Sequence, residues 1–458
     1  MRVYQRESRR LKRTESTVGS LFPRFGVNKK REIKRLVYEI AKREDIPPEE
    51  VLAGLETKKF LPLKSILLRR RYPIAFPGHD KADFYLPELR LAPDHSFTRS
   101  DEGFRPLRLY LEDKARGTFL ERRFREFFPE AAVIPIGTLR EFLEERKSFA
   151  ISDYNLRAQT VFITASRADF FKRCPCTRGA VPCGYHIFNL AFGCIFECTY
   201  CYLQEYVNTP GLIFPANLEN FFDEFETYRK KPSTGSWQKG PRLRIGTGEF
   251  SDSLMIDEIT EYSLPLIEFF RGRSDVLFEF KTKSGNISNL LRARHGGNIV
   301  IAWSLNPRRV IDENEFYAAS LKERLEAARL CAAAGYRLAF HFDPVIYYPG
   351  WEKDYRGVVD SLAAEVAIEK VEWISLGTLR FKPDLKPVIE RRFPGNRILD
   401  AELVLGYDRK LRYPERVRFE VYRKMIAFLE KYGRGLPVYL CMENKKMWDA
   451  LRLPFPFK

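Results

Sequence analysis

The chain has 458 residues, room for two or three domains, and its 45% hydrophobic and 30% charged residues are those of a globular protein, not of a disordered or collagen-like one. Lys and Arg number 78 against 61 Asp and Glu, a formal charge of +17, which favours a polyanionic partner (nucleic acid or an anionic surface) over a merely basic soluble enzyme. No run approaches the roughly 20 apolar residues of a membrane span, and the basic N-terminus lacks the apolar core of a secretory signal, so a cytoplasmic protein without membrane contact is expected.

Residues 1–30 are basic, polar and aperiodic, with Arg9, Arg10, Lys12 and Arg13 and then Lys29, Lys30 and Arg31. They predict a solvated or flexible arm able to meet phosphates. Leu36, Val37, Ile40, Ile46, Val51 and Leu55 predict short helices broken at Pro47-Pro48. Residues 73–110 are rich in Pro, Gly and Asp and read as linker. Beyond them, 119–128 and 139–149 read as helices and 132–136 and 160–164 as strands, a small α/β unit.

After Cys183 the pattern becomes regular. Apolar or alternating runs at 185–191, 243–246, 276–280, 299–304, 337–342 and 371–376 alternate with helix-like stretches at 218–228, 253–270, 287–293, 321–334 and 355–367. Strands alternating with helices argue for a parallel β/α architecture, whose chemistry gathers at the strand C-terminal ends when it closes into a barrel. The chain therefore divides into a basic, partly helical N-terminal extension (1–105), a small α/β segment (106–182), the β/α region (183–376) and a basic, aromatic C-terminal extension (377–458), with a last strand at 438–442.

Six of the eight cysteines lie between Cys174 and Cys201, while Cys331 and Cys441 stand apart. Such clustering suits a metal centre in a reducing compartment better than a disulfide framework. The stretch Cys194-Ile-Phe-Glu-Cys198-Thr-Tyr-Cys201 follows the first apolar run. Three thiolates so close can wrap one inorganic centre, and on a four-iron cubane they leave one iron open to a non-protein ligand. The alternatives are a zinc site, which usually wants four N/S ligands, and buried thiols. Cys174, Cys176 and Cys183 read as structural thiols beside that centre, with a second metal or a redox pair as the alternative; no fourth ligand is evident in the sequence. Cys331, in an Ala-rich helix, reads as core. His186, His295 and His341 show no ligand spacing and read as hydrogen-bonded structural histidines.

The cysteine triad with Tyr200 at its aromatic position resembles the radical S-adenosylmethionine (SAM) superfamily. The stretches 193–204, 244–257, 281–283, 304–312, 324–336, 350–355 and 386–394 narrow the resemblance, from about Gln159 onward, to the spore photoproduct lyase family of radical SAM DNA-repair lyases. It implies a partial (β/α)6 barrel over 183–376, with a mostly helical or α+β N-terminal extension and a basic C-terminal one. It implies a 4Fe-4S cluster on Cys194, Cys198 and Cys201, SAM on the open iron, and an external one-electron reductant of the flavodoxin or ferredoxin type. Reductive cleavage would give a 5′-deoxyadenosyl radical that takes hydrogen from a DNA or RNA substrate. Gly246-Thr-Gly248-Glu249 resembles the element that holds the SAM amino group, its glycines permitting close approach and its carboxylate pairing with ammonium. Ser304 and Asn306 suit hydrogen bonds to the SAM ribose or carboxylate, or are simply a polar strand end. Lys281 and Lys283 suit the SAM carboxylate or a substrate phosphate. Tyr200 and Tyr202 match the tyrosines that flank the last cluster cysteine and assist hydrogen return. The family's hydrogen-donor cysteine is not matched: Glu249 stands in its place, and a carboxyl O–H is a far poorer hydrogen-atom donor than a thiol. Fold and radical generation are thus implied, and the lyase reaction is not. A radical SAM enzyme acting on a small molecule or peptide, or a nucleic-acid-binding protein with a structural cluster, remain the alternatives.

Overall fold

The computed structural model describes residues 2–100, 103–146, 148–165, 171–206, 209–230 and 242–454. The chain forms two compact units, each assembled from three stretches: Met1–Arg99, Thr199–Glu205 and Thr378–Arg418 in one, Ser100–Cys198, Tyr206–Gly377 and Phe419–Lys458 in the other. In chain order the strands are β1 (Arg108–Glu112), β2 (Ala132–Ile136), β3 (Thr160–Thr164), β4 (Phe171–Arg173), β5 (His186–Phe188), β6 (Glu197–Cys198), β7 (Leu212–Pro215), β8 (Leu243–Thr247), β9 (Val276–Thr282), β10 (Ile299–Ser304), β11 (Glu315–Phe316), β12 (Arg337–Val345), β13 (Val371–Thr378), β14 (Arg380–Phe381), β15 (Val404–Leu405), β16 (Leu411–Arg412) and β17 (Val438–Leu440).

The larger unit carries an eight-stranded sheet in the order β17-β13-β12-β10-β9-β8-β5-β4. The consecutive pairs from β5 through β8, β9 and β10 to β12 are parallel, as is β13 with β17, while β4 is antiparallel to β5. All six apolar runs form strands of this sheet. β10 is buried at every residue and β9 at all but Lys281, as a parallel sheet covered on both faces requires. The sheet curls into a half-barrel. The gap is closed by flanking segments and not by strand pairing: the Val181 amide, in the loop after β4, donates to the Glu443 carbonyl after β17 at 2.8 Å, and Ala180 bridges Asn444 in antiparallel fashion. Helices Glu219–Arg229, Ser263–Phe270, Ser288–Arg292, Leu321–Ala333 and Trp351–Glu365 lie between the strands in sequence. Ser320 starts the fourth of these with a capping box to Glu323. The single helix expected over 253–270 is divided: Glu261 is left-handed at φ 49°, and the Asp257 carboxylate accepts the Ser263 amide at 3.0 Å to begin Ser263–Phe270. A smaller parallel sheet, β2-β1-β3-β7, completes the unit.

The other unit is built on the helices Arg2–Leu21, Val27–Glu44, Pro48–Leu52, Phe60–Arg71 and Leu385–Arg392, with a three-stranded sheet β14-β16-β15. The expected aperiodic arm over 1–30 is corrected here, for most of it is helix. Glu7, Thr14, Val18 and Phe22 share one buried stripe at helical spacing. Two of those four are polar, which hides the stripe from hydropathy. At the centre of the unit the buried Glu39 accepts from Arg35 at 2.7 Å, Arg71 at 2.8 Å and Lys386 at 2.6 Å, and Arg35 also bonds Glu390. Burial alone would raise the Glu39 pKa, but Lys386, Arg35 and Arg71 together hold it well below the ordinary carboxylate value. Among the described residues no helix is long and apolar enough to cross a membrane.

Candidate active site

After β5 the chain turns at Gly193, whose φ is 88°. A Cβ there would fall 2.6 Å from Leu212 Cδ2, so only glycine lets the loop pass β7. The Gly193 amide donates to the Phe250 carbonyl at 2.8 Å, fixing the loop to the segment after β8. Cys194 follows at once, and Cys198 lies in β6, paired opposite Glu315 of β11. Between them the chain is held by one buried side chain that the sequence reading missed. Arg157 donates to the Cys194 carbonyl at 3.1 Å, to the Phe196 carbonyl at 3.1 Å and to the Glu197 carboxylate at 2.6 Å. The fork geometry of a guanidinium suits such multiple acceptance.

Tyr200, Cys201 and Tyr202 belong to the Thr199–Glu205 stretch of the smaller unit. Gln204 shapes this turn. Its Nε2 donates to the carbonyls of Thr199 and Cys201, both at 2.9 Å, and its Oε1 accepts from the buried Arg392. Tyr202 is exposed. No disulfide joins any of the eight cysteines.

The residues expected at the strand ends of the larger unit form a connected set. Asp252 accepts from Thr282 Oγ1 at 2.6 Å and from the Lys283 amide at 2.7 Å, and Ser253 Oγ accepts the Lys281 amide at 3.0 Å. The loop after β8 is thereby tied to the end of β9. Asn306 donates from Nδ2 to Glu315 at 2.7 Å and accepts from Tyr355 at 2.7 Å. Arg324 donates to Glu315 at 2.6 Å and to the Ser304 carbonyl at 2.8 Å. Glu315 therefore links Ser304 and Asn306 to the strand that carries Cys198. Removal from water works against charge on Lys283, but Cys198, Glu315 and Asp252 outweigh it and raise its pKa.

Gly246 has a structural reason of its own. A Cβ there would lie 1.6 Å from Tyr185 Oη, which hydrogen-bonds the buried Glu279. Glu279 also pairs with His341 Nε2 at 2.6 Å. Burial pushes the Glu279 carboxyl up, but His341, Tyr185 and Arg244 overcome that and bring it to about 2. Gly248 has φ 105°, a conformation that favours glycine, with Ser253 Oγ, Lys281 O and Ser251 O crowding its missing Cβ at 3.2–3.3 Å. Glu249 is ion-paired to Lys172 of β4 at 2.8 Å, a partner not anticipated from sequence. All three singled-out histidines are hydrogen-bonded: His186 with Gly184 and Tyr228, His295 with Ala334, His341 with Glu279. Cys331 is fully buried, and burial pushes its thiol up to about 12.

This donor set fits a thiolate-held iron–sulfur centre. Cys194, Cys198 and Cys201 are unbridged, and the cations Arg157 and Lys283 lie within electrostatic reach of Cys194 and Cys198. Among the described residues no three His, Cys, Asp or Glu side chains gather as ligands of one metal ion. Ligands of a cubane sit on separate irons and need not crowd in that way.

A sequence model of the spore photoproduct lyase family matches residues 151–421. The chain is 31% identical over 226 residues to the spore photoproduct lyase of Geobacillus sp. (strain Y412MC61), covering 47% of this chain and 63% of that protein. It is 32% identical over 227 residues to that of Bacillus subtilis (strain 168), covering 48% and 64%. It thus spans less than two thirds of the length of these relatives. Among solved structures, a spore photoproduct lyase complexed with dinucleoside spore photoproduct superposes with a TM-score of 0.61 at 26% identity, over 74% of this chain and all of that one. A mutant lyase with bound AdoMet and dinucleoside spore photoproduct matches with the same TM-score, identity and coverage. Because the family match spans more than half of the sequence, from Ile151 to Val421, the chain belongs to the spore photoproduct lyase family.

Proposed function

We propose that this chain is a radical SAM enzyme acting on nucleic acid, with a 4Fe-4S cluster on Cys194, Cys198 and Cys201. When bound and reduced, such a cluster passes one electron to SAM, which gives methionine and a 5′-deoxyadenosyl radical able to take hydrogen from substrate. The observation that carries this reading is the three-cysteine loop held by Arg157 through backbone carbonyls and Glu197, in a chain of this family. Arg157 and Lys283 offset the negative charge of the thiolates. Gly246, Gly248 and Glu249 would hold the SAM amino group, with Glu249 ion-paired to Lys172. Ser304, Asn306 and Lys283 would serve its ribose and carboxylate, and Tyr200 would bind it from the cysteine loop. The electron comes from an external flavodoxin- or ferredoxin-type donor. A relative that binds dinucleoside spore photoproduct and a net charge of +17 both favour a DNA substrate over a small molecule.

Hydrogen return is where this chain departs from the family pattern. Glu249 occupies the donor position, and a carboxyl O–H is a far poorer hydrogen-atom donor than a thiol. Tyr200 and Tyr202, which would assist a donor thiol, then have none at that position to assist. The test is splitting of spore photoproduct by the reconstituted protein and by Glu249→Cys. Gain of clean dimer splitting in the variant, with little in the wild type, supports the reading. Efficient repair by the wild type would place the donor elsewhere and contradict it.

A further inference from the structure

Four cysteines remain outside the candidate active site and outside the buried core position of Cys331. Cys174 and Cys176 follow β4, Cys183 precedes β5, and Cys441 follows β17. β4 and β17 are the opposite edges of the eight-stranded sheet. Seven inter-strand gaps of about 4.8 Å would hold them roughly 34 Å apart in a flat sheet. Here the segments flanking those edges close on each other. The Val181 amide reaches the Glu443 carbonyl at 2.8 Å, and Ala180 bridges Asn444. The Cys174 amide donates to the Tyr185 carbonyl at 2.9 Å and the Cys441 amide to the Leu376 carbonyl at 2.7 Å, so the backbone beside these thiols is fixed to strands at each edge.

At this seam the Cys174 and Cys176 side chains hydrogen-bond, and Cys183 and Cys441 lie within electrostatic reach of Cys174. Arg244, stacked on Tyr185, Trp373 and Tyr439, brings positive charge beside Cys183. A divalent metal would offset two of four thiolate charges and Arg244 a third. The sequence alone offered three of these cysteines and no fourth ligand; the fold supplies Cys441.

We propose that Cys174, Cys176, Cys183 and Cys441 form a second metal centre, a four-thiolate site for a thiophilic metal that staples the two edges of the curled sheet. Four protein thiolates leave no open position, which is the pattern of structural sites and not of catalytic ones. The side chains do not yet stand as ligands of one ion. Binding completes the set: each thiol releases its proton as it ligates, and no electron is transferred. Zinc and an iron–sulfur cluster share this ligand chemistry.

The test uses the full chain with Cys194, Cys198 and Cys201 all replaced by Ala, produced with zinc and iron supplied and purified without air. About one equivalent of zinc without sulfide, or iron with matching inorganic sulfide, supports the site and identifies its metal. Adding Cys441→Ser or Cys176→Ser should drop that metal several-fold, while Cys331→Ala should leave it in place. If the serine variants do not fold, mercurial titration of the folded triple-Ala protein gives the answer. Metal should then leave in step with modification of the seam thiols, and cobalt(II) in place of zinc should show the visible bands of tetrahedral thiolate ligation. A triple-Ala protein without metal, a Cys174–Cys176 disulfide in its place, or metal retained after Cys441→Ser and Cys176→Ser would overturn the proposal.

Discussion

Arg157 shows how much of the site rests on one side chain. Its guanidinium is buried, and three of its acceptors are backbone carbonyls, those of Tyr154, Cys194 and Phe196. The fourth is Glu197, itself buried. Removing one partner of such a pair leaves an uncompensated charge and costs about 3–5 kcal/mol. Arg157→Ala should therefore lower the unfolding free energy by that amount, read as a lower midpoint in denaturant, and yield protein with much reduced iron after reconstitution. Unchanged iron content and stability would show that the loop holds itself. The cysteines of this loop were legible because a cubane needs ligands a few residues apart. Arg157 was not, because its partners in that loop lie 37 to 40 residues away in sequence and most are carbonyls that any residue supplies. Lys172 was hidden from the reading of Glu249 for the same reason, being brought to it by the pairing of β4 with β5 and of β5 with β8.

At the scale of elements, strands buried on both faces announced themselves as continuous apolar runs. The N-terminal helix did not, because its buried stripe includes Glu7 and Thr14. Glu7 is satisfied by Arg10 at 2.7 Å and Tyr38 at 3.0 Å. Gly246 looked like a ligand-approach glycine, yet what demands it is room for Tyr185 beneath it. Three helices of the smaller unit, Val27–Glu44, Phe60–Arg71 and Leu385–Arg392, are joined by charges, with Glu39 as their common acceptor. Its folded pKa lies below the ordinary 4.5, so its contribution is complete above about pH 4.5 and is lost as the pH falls through the lower folded value. Glu39→Gln should cost about 3–5 kcal/mol near pH 7, since Arg35, Arg71 and Lys386 lose their shared anion. Urea midpoints of wild type and variant should converge as the pH drops below 4.5. Equal midpoints at pH 7 would refute a structural role for this cluster.

Across the whole molecule, the +17 charge predicts nucleic-acid binding dominated by phosphates. The logarithm of affinity for duplex DNA should fall linearly with the logarithm of salt, with a slope of about −0.9 per neutralised phosphate. Salt-independent binding, or none at low salt, would point instead to a small-molecule or peptide substrate. Radical generation is the claim on which the rest stands, and one measurement addresses it directly. The anaerobically reconstituted protein is given SAM and dithionite, and 5′-deoxyadenosine and methionine are quantified. Both should form in the wild type and neither in the Cys194→Ala, Cys198→Ala, Cys201→Ala triple variant. A wild type loaded with cluster that leaves SAM intact, or a triple variant that cleaves it equally well, would contradict the account.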